Sequence, residues 1–496
     1  MKNKNLFVLT LIILAFVEII SFNGFLVPVI NYIGFFIIFL TTVILAWHKI
    51  EFGLLIALVE LIISSKGYLF YFNYNEHLIS IRIAIWFAVM FVWSIKLFIK
   101  FFKKQQIFKN LLHKKNILQN LFYTLLVFII FGIINGFLNH NQLKNIFFDF
   151  NGWLYFLYIF PVLDIIKIKN LKNFYIIFFS AITWLCLKTF LFLYIFSHSF
   201  LINGQIYKWI RTSGVGEITQ MSNGFSRVFL QSHIFVVVAF FIISFLSINF
   251  FKQKQKKEFL LSVLFLSILI AVNLISFSRS NWAGIVVGIF IFFILSIFIY
   301  GWKKIWIPIL TQLASVILAL LIITIIVKFP FPQAGTEFNA SKMIKNRASE
   351  ITTEAGVSSR WNLLPPLFDE IKQYPIIGKG FGSTITYISN DPRVREKNLD
   401  GIYTTYAFEW GLLDIWLKIG LFGLLIYIAI IFNIIYNLLK QSLKDKKNIS
   451  KNNLINLGIA VILIVLFVIN IFSPYLNHPL GIGIILLSWV CHEMPD

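Results

Sequence analysis

Apolar runs of about 20 residues, separated by short polar segments, recur from Leu6 almost to the C-terminus. A helix rising ~1.5 Å per residue needs about that length to cross a hydrocarbon layer ~30 Å thick. A strand would show apolar and polar residues in alternation, and there is little of it. The pattern predicts membrane-spanning helices over residues 6–22, 31–47, 52–65, 79–101, 117–138, 147–166, 174–197, 227–249, 258–277, 282–301, 305–328, 411–437, 453–472 and 478–492. The third and the last are short, so 12–14 transmembrane helices are expected. No small-residue cleavage site follows the first run and further spans come directly after it, so it reads as a retained span rather than a signal peptide. The expected fold is therefore an all-α integral membrane protein with one large external loop domain between late helices. Its parts are a membrane bundle over 1–328, a loop domain over 329–410 and C-terminal spans over 411–496.

Composition agrees with that pattern: 59% of the 496 residues are hydrophobic and 13% charged. The net charge of +22 raises the question of a nucleic-acid partner, and its distribution answers it. The basic residues cluster at 2–4, 100–115, 167–172, 252–257, 303–304 and 440–451, all short segments beside apolar spans. With a cytoplasmic N-terminus, every cluster falls after an even number of spans, which is the positive-inside arrangement. Nucleic acid is excluded as a partner, and membrane lipid takes its place. Both termini are expected in the cytoplasm, and residues 198–226 and 329–410 outside. Cys186 and Cys491 both lie in or near apolar segments, so neither a disulfide framework nor a thiolate metal site is expected.

The long loop carries nine basic and nine acidic residues, unlike the Lys-rich segments on the other side. It predicts a helix from about Arg360 to Gln373, capped by Ser358 or Ser359, with an apolar stripe of Trp361, Leu364, Leu367, Phe368 and Ile371 and a break or kink at Pro365/Pro366. Pro375 and the glycines of YPIIGKGFG (Gly378, Gly380, Gly382) then predict a sharp backbone excursion.

Three arginines fall on the outer side in polar settings. Arg279 sits in SFSRSNW, flanked by Ser276, Ser278, Ser280 and Asn281; Arg227 follows Ser, Asn and Gly; Arg360 leads the loop helix. An interfacial arginine often only snorkels to lipid headgroups. Three guanidiniums in polar turns also suit a diphosphate or sugar phosphate, which arginine grips bidentately.

The order of an Arg-initiated span at Arg227, the SRS turn of Ser278–Gly288, the loop motif RWNLLPPLFDEIKQYPIIGKGFG and the span WLKIGLFGLL resembles the O-antigen ligase and polymerase superfamily, over roughly residues 220–440. The resemblance implies a glycosyltransferase of the bacterial cytoplasmic (inner) membrane. Its donor is an undecaprenyl-diphosphate-linked oligosaccharide, it uses no cofactor or metal, and its partners include a chain-length regulator protein. By the same resemblance Arg227, Arg279 and Arg360 bind the diphosphate, and Arg279 stabilises the leaving group. The ligase branch has a His-Asn pair eleven residues before the first Gly of GLxG; counting back from Gly420 reaches Glu409, followed by Trp410. Glutamate keeps a general base and favours a polymerase over a ligase, although it could equally pair with a nearby cation. Asp400, Asp414, Tyr403 and Tyr406 are further acceptor-side candidates, and Tyr403, Tyr406, Trp361 and Trp410 either stack on sugars or anchor at the interface.

Other ionisable residues lie in or beside spans, where charge is rare and often functional: Glu18, Glu60, Arg82, Asp149 and Lys188. Arg82, Glu76 and Asp149 are candidates for the same cavity; Glu60 and Lys188 are expected as an ion pair or a proton relay, and His233 as a packing residue. A lipid-linked oligosaccharide flippase is the alternative of another class. It would show two pseudo-symmetric halves, whereas the one large loop here is late and asymmetric.

Overall fold

The computed structural model describes residues 2–74, 77–103, 117–165, 171–198, 200–221, 225–332, 355–444 and 449–493. Among them, 12 helical segments are long and apolar enough to cross a membrane. In chain order come α1 (Lys2–Leu26), α2 (Pro28–His48), a shorter α3 (Ile50–Ser64), α4 (Ile81–Phe102) and α5 (Ile117–Leu138). The next span is composite: α6 (Leu143–Phe150), a tighter 3-10 stretch (Asn151–Tyr158) and α7 (Ile159–Ile165). Then follow α8 (Leu171–Ser197), the short α9 (Asn203–Thr212), α10 (His233–Lys252), α11 (Lys256–Ser276), α12 (Arg279–Tyr300) and α13 (Trp306–Lys328). The loop domain holds α14 (Ala355–Gln373) and α15 (Pro392–Arg395), and α16 (Gly411–Ser442), α17 (Lys451–Phe472) and α18 (Pro479–Glu493) complete the bundle. The protein is an all-α multi-pass membrane protein. The third and last segments, α3 and α18, are each 15 residues long, which is why the count lies between 12 and 14.

Among the described residues, three antiparallel hairpins decorate the helices: β1 (Tyr71–Tyr74) with β2 (His77–Ser80), β3 (Gly216–Gln220) with β4 (Ser226–Leu230), and β5 (Ile385–Ile388) with β6 (Ile402–Thr405). Helices α10 and α17 are apolar all round and buried along most of their length, as interior helices must be. Small residues bring the spans close. A Cβ on Gly458 of α17 would sit 2.8 Å from the Ile242 backbone, and one on Gly284 of α12 would sit 2.6 Å from Ile469.

Three sequence expectations need correction. Arg227 does not begin a span: it lies on β4, and the helix starts at His233. Ser226, Val228 and Leu230 are buried while Arg227 and Phe229 are half-buried, a period-2 pattern inside a run whose overall hydropathy looked helical. In the loop domain, α14 starts at Ala355 and runs through Pro365 and Pro366. Ser358 and Ser359 lie inside it and accept hydrogen bonds from Asn390 rather than capping it. Its buried stripe is Leu363, Leu367 and Ile371, packed with Ile385, Phe408 and Leu417, while Trp361 and Phe368 face outward. Finally, Glu60 pairs with Arg82 at 3.0 Å and Lys188 with Glu18 at 2.5 Å, so the expected Glu60–Lys188 pair does not form. Glu76 lies outside the described residues.

Candidate functional site

Where α16 should be continuous, Gly420 adopts φ 75° and ψ 173° and breaks it. Only glycine tolerates that backbone region. The break exposes backbone groups in the bundle interior, where each needs a partner. The glycine-rich loop after α14 supplies them. The Leu417 carbonyl accepts from Lys379 N at 2.7 Å and Gly380 N at 3.3 Å, and Leu421 N donates to the Pro375 carbonyl at 3.2 Å. On its other side the loop packs on α5, where Phe381 N donates to the Gly132 carbonyl at 3.0 Å and Asn135 Nδ2 to the Ile377 carbonyl at 3.1 Å. Gly380 has no room for a side chain: a Cβ would lie 2.2 Å from Gly136 N. The expected backbone excursion is thus a wedge between α5 and α16, with Gly378, Gly380 and Gly382 all at positive φ.

The arginines lie in two groups at the same end of the bundle as this wedge. Helix α11 ends at Phe277 in the left-handed region (φ 44°), Ser278 is extended, and α12 starts at Arg279. Arg227 reaches from β4 and donates its Nε to the Ser276 carbonyl at 2.8 Å, with its guanidinium carbon 5.1 Å from the Phe229 ring centre. Arg227 and Arg279 therefore share one turn, in which Ser276 and Ser278 are buried. Arg360 donates its Nε to the Glu409 carboxylate, forming an ion pair. Trp410 Nε1 donates to the Arg360 carbonyl at 2.9 Å, and Trp361 packs edge-on against Trp410 with ring centres 5.5 Å apart.

The end of α17 links the two arginine pairs. Phe472 packs on Trp410 with ring centres 5.7 Å apart, and the Ser473 hydroxyl donates to the Ser280 hydroxyl at 3.0 Å, one residue past Arg279. Tyr475 OH donates to the Gln231 carbonyl at 3.0 Å, tying the same segment to the chain just after β4.

The remaining candidates separate. Tyr403 lies on β6 opposite Tyr387, their rings edge to face at 5.9 Å, and is 40% exposed. Burial, then Glu409 and Tyr403, push the Tyr387 phenol up to about 12, so it remains a neutral hydrogen-bond donor at physiological pH. The half-buried Tyr406 phenol is likewise raised by burial and then by Asp149. Asp400 is exposed beyond the end of the hairpin remote from Glu409. Asp414 is 1% exposed and pairs with Lys418 at 2.6 Å, and Lys418 also pairs with Asp149 at 2.5 Å. Arg82, buried with Glu60, donates Nη1 to the Ser65 carbonyl at 2.7 Å and is not among the site arginines. His233 is fully buried and hydrogen-bonds Thr189 at 2.9 Å, a packing role.

Lys418 and the 473–478 segment join this site without being among the sequence candidates. Lys418 did carry a signal, a lysine four residues after Asp414 in an apolar run, where the two fall on one helix face. The 473–478 segment had none, being a short polar stretch between two spans.

Residues 262–428, about a third of the chain, match the family described as O-Antigen ligase. The match takes in Arg279, Arg360, the glycine wedge, Glu409 and Lys418, and leaves Arg227 outside it. No curated protein and no solved structure matches the chain.

Proposed function

We propose that the chain, whose residues 262–428 match the family described as O-Antigen ligase, is a glycosyltransferase joining polyprenyl-diphosphate-linked glycan units at the outer face of the cytoplasmic membrane. The observation that carries this reading is the linkage of two arginine pairs, Arg227 with Arg279 and Arg360 with Glu409, across the end of α17. A donor diphosphate is an anion with paired oxygens that match guanidinium forks. Charge grows on it as the anomeric C–O bond breaks, so fixed cations there favour the transition state over the ground state.

In the proposed reaction an acceptor hydroxyl attacks the anomeric carbon. The bond to the diphosphate breaks, polyprenyl diphosphate departs into the arginine cluster, and the hydroxyl proton passes to the Glu409 carboxylate. Glu409 is held by Arg360 before substrate arrives. An anionic donor competes for that guanidinium, so donor seating releases the carboxylate to act as base. Trp361, Trp410, Tyr387 and Tyr403 present rings around this corner on which sugars can stack. Repeated transfer to another lipid-linked unit makes a polymerase. Transfer to a separate acceptor, as the name of the matched family suggests, is the second reading.

The test incubates purified protein in nanodiscs with extracted lipid-linked repeat units and EDTA, following glycan length and released polyprenyl diphosphate. A ladder of lengths supports the polymerase. Product that appears only when a separate acceptor is added supports the ligase reading. Movement of the lipid between leaflets with no new glycosidic bond would leave a flippase as the answer.

A further inference from the structure

Lys418 lies two residues before the break at Gly420 and is 1% exposed. Its ammonium donates to Asp149 Oδ1 at 2.5 Å and to the Tyr406 carbonyl at 3.0 Å, and Asp414 Oδ1 lies 2.6 Å away as an ion-pair partner. The Phe408 ring centre lies 5.1 Å from it. Each carboxylate then reaches a further segment. Asp149 Oδ2 accepts from Gly382 N in the glycine wedge at 2.8 Å, and Asp414 Oδ2 accepts from Asn477 Nδ2. Asn477 belongs to the segment whose Ser473 touches Ser280 beside Arg279. One nitrogen atom therefore joins the 406–410 corner carrying Glu409, the glycine wedge, and the segment bracing the Arg279 turn.

Stability alone does not account for such a cluster. A buried ion network is weak evidence of stabilisation, and apolar side chains of similar volume often pack as well. Here two carboxyl groups share one ammonium inside the bundle. What the ions add is directional: fixed bonds to three segments far apart in sequence.

We propose that Lys418 is the positioning residue of the site, acting through Asp149 and Asp414 to hold the Glu409 corner, the glycine wedge and the 473–478 segment in one fixed arrangement. That this arrangement serves turnover rests on the glycosyl-transfer reading. That it couples the three segments does not.

The test uses the full-length protein in nanodiscs. The triple variant Lys418→Met/Asp149→Asn/Asp414→Asn removes the charges without leaving a lone buried carboxylate. It is expected to insert and to retain wild-type amide-exchange protection in α10–α13. Peptides covering 376–384, 404–411 and 474–479 lose protection together. With lipid-linked donor, kcat falls roughly 10²-fold, the scale of a misplaced catalytic group, while KM stays within about threefold. Lys418→Arg, which keeps the cation, recovers protection in all three segments and part of the turnover. Unchanged protection in any one segment of the triple variant overturns the coupling. Wild-type kcat with the fold intact reduces Lys418 to space filling. If wild-type protein forms no glycosidic bond, the functional reading fails, and the exchange data still decide the coupling.

Discussion

Arg279 and Arg227 draw their meaning from one shared turn. Arg227 occupies the Ser276 carbonyl, and Arg279 begins the next helix three residues later. If this turn holds the leaving diphosphate, Arg279→Ala should lower turnover by roughly 10²–10³-fold with insertion unchanged, as loss of a preorganised charge-stabilising donor does elsewhere. Arg279→Lys should fall between, because an ammonium keeps the charge and loses the fork. Single-turnover release of polyprenyl diphosphate measures both, and an Ala variant as fast as wild type removes Arg279 from the chemistry. These arginines were legible in the sequence because each stands in a short motif of serines and turn residues. Charge partners were not, since Glu60 meets Arg82 and Lys188 meets Glu18 across 22 and 170 residues. The observed pairing has its own test. Lys188→Met strands a buried carboxylate and should destabilise by about 3–5 kcal/mol in thermal unfolding in detergent. Adding Glu18→Gln should recover most of that loss, whereas adding Glu60→Gln should deepen it by stranding Arg82.

At the scale of elements, hydropathy located the spans and missed what interrupts them. The β3–β4 hairpin escaped because β4 runs straight into the apolar start of α10, and only its alternating burial marks it as a strand. The composite span of α6, the 3-10 stretch and α7 escaped because its interruption serves a neighbour: a Cβ on Gly152 would lie 2.8 Å from the Asn477 carbonyl. The glycine wedge was legible as a turn from Pro375 and its three glycines, yet its docking into a broken α16 joins segments far apart in sequence and leaves no local pattern. Gly420 and Gly301 separate backbone strain from wedge contact. Both have φ near 80° with extended ψ, but a Cβ on Gly301 meets nothing within 4 Å while one on Gly420 meets the Ile376 carbonyl at 2.1 Å. Gly301→Ala should cost about 1–3 kcal/mol from the backbone alone. Gly420→Ala adds displacement of the wedge, and should appear as a clearly lower melting temperature together with lost glycosyl transfer. Equal melting temperatures for the two variants would mean that the wedge does not brace α16.

For the whole molecule, the distribution of charge predicts which end of the bundle faces outward. The basic clusters follow even numbers of spans, and that parity requires α3 to cross, whereas α18, with no basic cluster after it, decides only the side of the C-terminus. At 15 residues each they reach ~22 Å, short of a full hydrocarbon layer, so they cross where the bilayer thins or where neighbours bury their ends. Contacts gather the site at one end: Ser473 with Ser280, Phe472 with Trp410 and Asn141 with Phe381. The connection between α10 and α11, with Lys252, Lys254, Lys256 and Lys257, lies at the other end. Cys186 and Cys491 are buried, so a single introduced thiol reports its own exposure. Leu399 is 92% exposed in the loop domain and Gln253 is exposed in the basic connection. In intact spheroplasts an impermeant maleimide should modify Leu399→Cys at once and Gln253→Cys only after permeabilisation. The reverse order would put the arginine cluster in the cytoplasm, where nucleotide sugars rather than outward-facing carrier lipids would be its available donors. A wild-type labelling pattern combined with a failed transfer assay would instead leave the orientation standing and remove only the chemistry.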